Sequence, residues 1–104
     1  MRKDTYRVES EAVQGVGSWV ECKQLMRGQW RELYNLVNGK TVGTTIDEDL
    51  DHTDAIIAAN VVATNWTDSD GEKMVVPLDM AKVGTIERNF LLSSLLYPPA
   101  ATKN

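Results

Sequence analysis

The stretch Thr45-Ile46-Asp47-Glu48 constrains this chain more than any other. A threonine followed three positions later by a glutamate is the capping-box pattern, in which each side chain accepts from a backbone N–H that the first helical turn would leave unpaired. A helix is therefore expected to begin here. Asp47, Glu48, Asp49 and Asp51 crowd its opening turns, where carboxylates are favoured by the exposed N–H groups. Leu50, Ile57 and Val61 then fall along one stripe that Ile56, Ala59 and Ala63 widen, so the spacing predicts a long helix buried over more than half its circumference. In a chain of 104 residues, 42% of them hydrophobic, such a helix belongs at the centre of one core and leaves no material for a second domain.

The segments before it read as a hairpin and a helix. Residues 5–10 alternate in the manner of a strand, residues 11–17 hold two glycines and are expected to form a turn or flexible loop, and residues 18–25 make a second strand. Trp19, Glu21 and Lys23 share one face of that strand, and Val20, Cys22 and Gln24 share the other, so both faces are mixed. From Gly28 the period changes: Trp30, Leu33, Tyr34 and Val37 lie at i, i+3, i+4 and i+7, and Asn38-Gly39 supplies the stop.

Beyond the long helix, residues 66–76 read as strand, turn and strand around the Asp70-Gly71 corner, with Pro77 closing the second strand. Residues 79–82 fit one short turn. Thr85 is the expected N-cap of a last helix that carries Glu87 in its first turn and ends at Pro98-Pro99. These elements predict an α+β fold, a small single domain spanning residues 1–104 with about three helices and two short β-hairpins, and disorder in residues 1–4 and 98–104.

Charge and reactive residues narrow the function classes. The net charge of −4 argues against nonspecific nucleic-acid binding, which needs clustered Lys and Arg to neutralise phosphates. The charge is polarised. Residues 1–40 carry seven Lys and Arg against five Asp and Glu, while residues 41–104 carry four against ten, a pattern suited to head-to-tail self-association or to a basic partner for the second half. Cys22 is the only cysteine and His52 the only histidine, so neither a disulfide nor a thiolate metal site is expected. His52 reads as a surface histidine among Asp49, Asp51 and Asp54, and Cys22 as a packing residue. The acids at 47, 49 and 51 begin an EF-hand count, but His52 and Ala58 stand where glycine and a bidentate glutamate are required, and Asp68-Ser69-Asp70-Gly71 is ordinary turn chemistry. No metal and no cofactor are predicted. Neither a Walker-type loop nor a Gly-x-Gly-x-x-Gly turn occurs. The opening Met-Arg-Lys-Asp-Thr lacks a signal peptide's apolar stretch, and the longest mostly apolar run, residues 55–63, is too short to span a bilayer. The Asn65-Trp66-Thr67 sequon is thus expected to be fortuitous, and Trp19, Trp30 and Trp66 lack the interleaved basic residues of a nucleic-acid platform.

The last helix is the suggestive feature. Leu91, Leu92, Leu95 and Leu96 form a stripe to which Phe90 and Tyr97 add area, more apolar surface than a fold of this size is expected to cover. Phe90, Leu91, Leu92, Leu95, Leu96 and Tyr97 are accordingly the predicted protein-interaction residues.

Three passages together resemble the small tail assembly proteins, often called tail assembly chaperones, of long-tailed phages of actinobacteria and related hosts. The first is Gly17-Ser18-Trp19-Val20-Glu21-Cys22-Lys23 followed by Arg27-Gly28-Gln29-Trp30-Arg31, a tryptophan-bearing strand leading into a basic helix start. The second is the apolar helix of residues 57–66 running into Asp68-Ser69-Asp70-Gly71. The third is Val76-Pro77-Leu78-Asp79 before the Leu-rich helix of residues 86–96. Cys22-Lys23 departs from the pattern, where a regular acidic or arginine position is expected. The resemblance covers residues 17–97 and implies a non-enzymatic factor of the host cytoplasm that binds the tape-measure or tail-tube protein during tail morphogenesis, with no catalytic residues to transfer. The alternative is a structural component of the virion, such as a head–tail connector or a tail or capsid decoration protein, able to form a homo-oligomer. Neither reading involves nucleic acid or a membrane.

Overall fold

The computed structural model describes residues 4–40 and 45–99. Among these residues the chain forms three strands, β1 (Thr5–Glu9), β2 (Trp19–Lys23) and β3 (Val61–Thr64), and four α-helices, α1 (Glu11–Gln14), α2 (Arg27–Val37), α3 (Ile46–Asn60) and α4 (Thr85–Leu96). The strands make one antiparallel sheet in the order β1-β2-β3, an α+β architecture. The disorder expected for residues 1–3 and 100–104 lies outside the described residues.

The expected N-terminal hairpin forms, with Thr5 opposite Lys23 and Glu9 opposite Trp19. Packing settles which face of β2 is inward: Val20 and Cys22 are fully buried, with Tyr6 and Val8 of β1 against the same core. On the outer face the Arg7 guanidinium lies 3.8 Å from the centroid of the Trp19 ring and 3.8 Å from the Glu21 carboxylate. That cation–π contact keeps Trp19 half-buried on a face otherwise turned to water. The segment expected to be a loop holds the single-turn helix α1, and Gly15 and Gly17 follow it with φ of +96° and +86°.

The long helix begins as its sequence demands. Thr45 Oγ1 accepts from Glu48 N at 3.0 Å and Glu48 Oε1 accepts from Thr45 N at 3.1 Å, completing the capping box. Its far end corrects the sequence reading. The helix stops at Asn60 and passes without a loop into β3, so Val61 and Ala63 are strand residues, facing Cys22 and Glu21 of β2. Val61-Val62-Ala63-Thr64 is rich in β-branched side chains, which pack well on a pleated surface and lose rotamer freedom in a helix. The buried face of α3 is correspondingly short, made of Thr53, Ile56, Ile57 and Asn60, while Leu50 is 46% exposed.

Two further expectations change in register. On α2 the fully buried side chain is Leu33, with Trp30 and Leu36 packed partly against the core, whereas Tyr34 and Val37 are exposed. The second hairpin contracts to a turn. Asp68 N donates to Glu72 O at 2.8 Å, the Asp68 carboxylate accepts from Asp70 N and Glu72 N, and one isolated bridge joins Thr67 to Lys73. No strand continues through residues 74–76, because Val75 and Val76 are exposed and pair with no neighbouring strand, and the segment is instead anchored by buried Leu78. The short turn over residues 79–82 forms a single 3-10 turn, Met80–Lys82, with Asp79 Oδ1 accepting from Ala81 N.

The core joins the sheet to α2, α3 and α4 through Val20, Cys22, Leu33, Ile57, Trp66, Leu91 and Leu95. Trp66 is fully buried, and its Nε1 donates to Ser10 Oγ at 2.7 Å. Ser18 Oγ donates to Gly15 O at 2.7 Å, so the 2.8 Å contact between the two serine hydroxyls runs from Ser10 to Ser18. The indole N–H is thereby satisfied by a relay of hydroxyls ending on a backbone carbonyl, as burial of a polar atom requires.

Candidate protein-interaction site

The N-terminus of α4 is held by a side chain three residues into the helix. Glu87 Oε1 accepts from Gly84 N at 2.9 Å, making Gly84 the N-cap where Thr85 is expected. The other carboxylate oxygen accepts from Gln14 Nε2. Gln14 also brackets Thr67, donating to its carbonyl at 3.0 Å and accepting from its N–H at 3.2 Å, so one glutamine joins α1, the turn and α4. At the other end the last carbonyls, which lack intrahelical partners, are taken by distant side chains. Tyr6 Oη donates to Ser94 O at 2.7 Å and Trp30 Nε1 donates to Leu96 O at 2.9 Å. These bonds fix both the rotation and the axial position of α4 on the sheet.

That rotation sorts the six predicted interaction residues. Leu91, Leu95 and Leu96 are core side chains, at 0%, 1% and 5% exposure. Phe90 is partly buried, with its ring 6.1 Å from that of Trp66, and Leu92 is partly buried as well. Tyr97, at 63% exposure, is the one that faces solvent. The leucine stripe is thus mostly absorbed by the fold, because a three-stranded sheet with two other long helices offers α4 a larger apolar bed than its length alone suggests.

An accessible apolar surface lies instead beside Leu92. Leu36 and Val37 from the end of α2, Ile46 and Leu50 from the start of α3, and Leu92 from α4 line a groove of about 440 Å³. Ile46 is 77% exposed, Val37 49% and Leu50 46%. The polar boundary includes Lys40 and Arg88, the latter bonded through Nε to Asp54 Oδ1 at 2.7 Å. Sequence periodicity places Val37 and Leu50 in core stripes. The signal that separates them is their position at helix ends, past the part of each helix that the short sheet can cover.

The reactive side chains are dispersed. His52 Nε2 pairs with Glu32 and ties α3 to α2, a contact the neighbouring carboxylates in sequence do not predict. The Cys22 thiol is pushed up to about 12 by burial, which the adjacent Tyr6 hydroxyl only partly offsets and the Glu21 charge reinforces. It is therefore protonated near neutrality and unlike an activated nucleophile. The Tyr6 hydroxyl is raised by the same burial. Among the described residues, no group of three or more His, Cys, Asp or Glu side chains is placed to hold a metal ion, and no helix is long and apolar enough to cross a membrane. Comparison with protein-family models, with curated proteins and with solved structures returned no match.

Proposed function

We propose that the protein is a non-enzymatic phage tail assembly factor that binds the tape-measure or tail-tube protein while the tail is built. The observation that carries the binding role is the open groove formed by Val37, Ile46, Leu50 and Leu92, whose apolar side chains stay accessible after the core is complete. Such a groove takes an amphipathic segment, whose apolar face replaces water against the leucines and the isoleucine. The assignment to tail assembly rests on the resemblance of residues 17–97.

The test is co-purification with the tape-measure and tail-tube proteins of the source phage, for the native chain and for Ile46→Lys/Leu50→Lys. Both positions are exposed, so the variant keeps its circular-dichroism spectrum. Loss of the complex supports the groove, whereas an undiminished complex removes it as the binding surface. Mass spectrometry of purified virions addresses the assembly role: presence at a fixed copy number favours a structural component, and absence favours a transient factor.

A further inference from the structure

We infer that the chain associates with itself head to tail, a basic aromatic face at one end of α4 seating in an acidic-rimmed apolar cleft at the other end of α4 in a second copy. The first face is a stripe of α2. Arg27, Trp30, Arg31 and Tyr34 fall at i, i+3, i+4 and i+7 and so share one side of the helix. Trp30 and Tyr34 stack with ring centroids 5.0 Å apart, which makes a flat and rigid aromatic surface. Arg27 and Arg31 are exposed and have no ion pair among the described residues. This stripe abuts the C-terminal end of α4 through the bond from Trp30 to Leu96.

The complementary surface is at the N-terminal end of the same helix, roughly 18 Å away along a twelve-residue helix at 1.5 Å per residue. A cleft of about 960 Å³ opens there between α1, the turn after Trp66 and the start of α4. Val13, Val83 and Ile86 supply apolar lining, Ile86 at 71% exposure, and among the charged residues that line the cleft Asp68, Asp70 and Glu87 outnumber Lys82. Among the described residues, Glu72, beside the rim, and Asp70 have no cation partner. Among the described residues each surface holds charges without an ion-pair partner, and each places them around apolar area. Two complementary patches on opposite ends of one molecule make a heterologous contact, which repeats into a ring or a filament and not a two-fold dimer. Neither patch uses the groove residues Val37, Ile46 or Leu50, so self-association is separable from the partner binding proposed above.

The experiment is light scattering coupled to size exclusion, across protein concentration and salt, on the full chain and on two charge-reversed variants. Arg27→Glu/Arg31→Glu keeps the cleft but reverses the basic face; Asp70→Lys/Glu72→Lys does the opposite. None of these four side chains makes a hydrogen bond or ion pair within the described chain, and circular dichroism checks that the fold is retained. The expected result is a native mass that rises with concentration and falls with salt, single-chain mass for each variant alone, and a return of the native concentration-dependent mass when the variants are mixed, since the intact face then meets the intact cleft and the reversed face meets the reversed cleft, each pair opposite in charge. A native chain that is monomeric at every concentration overturns the inference. So does a native oligomer whose mass neither variant changes, or a pair of variants that fail to complement each other on mixing.

Discussion

Replacing Ser10 by alanine tests whether the buried relay under Trp66 carries stability in proportion to its geometry. Ser10 is 1% exposed and its hydroxyl is the partner of the fully buried Trp66 Nε1. Removing it strands that N–H with no water to replace the lost acceptor, a desolvation cost of about 1–3 kcal/mol. The Ser18 hydroxyl loses a neighbour but keeps its bond to Gly15 O, so it adds little. A destabilisation of about 2 kcal/mol is therefore expected, read as a lower urea midpoint with unchanged slope. Trp66→Phe alone costs about as much, for the different reason that a smaller ring leaves a void. The informative variant is the double one. Once the indole is gone, deleting Ser10 orphans no donor, so the two costs combine to at least roughly 1 kcal/mol less than their sum. Additive costs refute the relay, because they mean that Ser10 and Trp66 stabilise the fold independently.

Leu95→Ala is expected to cost about 2–5 kcal/mol, against under about 0.5 kcal/mol for Tyr97→Ala, since one side chain is 1% and the other 63% exposed; urea unfolding of both separates core from surface on α4. Thr45→Ala removes the acceptor that holds Glu48 N and should lower stability by about 1 kcal/mol in the same assay. The Cys22 thiol, raised from 9.0 to about 12, binds its proton more tightly when folded, so its contribution is full below pH 9 and is lost as pH rises from about 9 toward 12. A pH series of urea midpoints should fall over that range, and should fall less in Cys22→Val.

What could be read from the residues was local. The capping box at Thr45, the stop at Asn38-Gly39, the alternation of β1 and β2 and the Asp70-Gly71 corner each depend on backbone donors, φ preferences or side-chain spacing within a few residues, and each stands where expected. Val61 shows where this reasoning ends. Its position fits the stripe of α3, yet it belongs to β3, because β2 offers Cys22 as a partner from 39 residues earlier in the chain. Periodicity has no access to that competitor. Val37 and Leu50 show the same limit from the other side: they have the spacing of core residues and lie open, since how much of a helix is covered depends on the extent of what it packs against.

The interaction site depended on the same distinction. The amino-acid order alone determined that α4 carries an apolar stripe from Phe90 to Leu96, because amphipathicity follows from spacing along one helix. Its rotation was decided only by tertiary contacts: Tyr6 and Trp30 binding its last carbonyls and Gln14 binding Glu87 at its start. Those partners lie between 66 and 88 positions away in the chain, and they turn Leu91, Leu95 and Leu96 inward while leaving Leu92 at the edge of an open groove. A sequence specifies which side chains gain by leaving water. Which of them finds room to do so is settled by the shape and area of the elements that assemble around it.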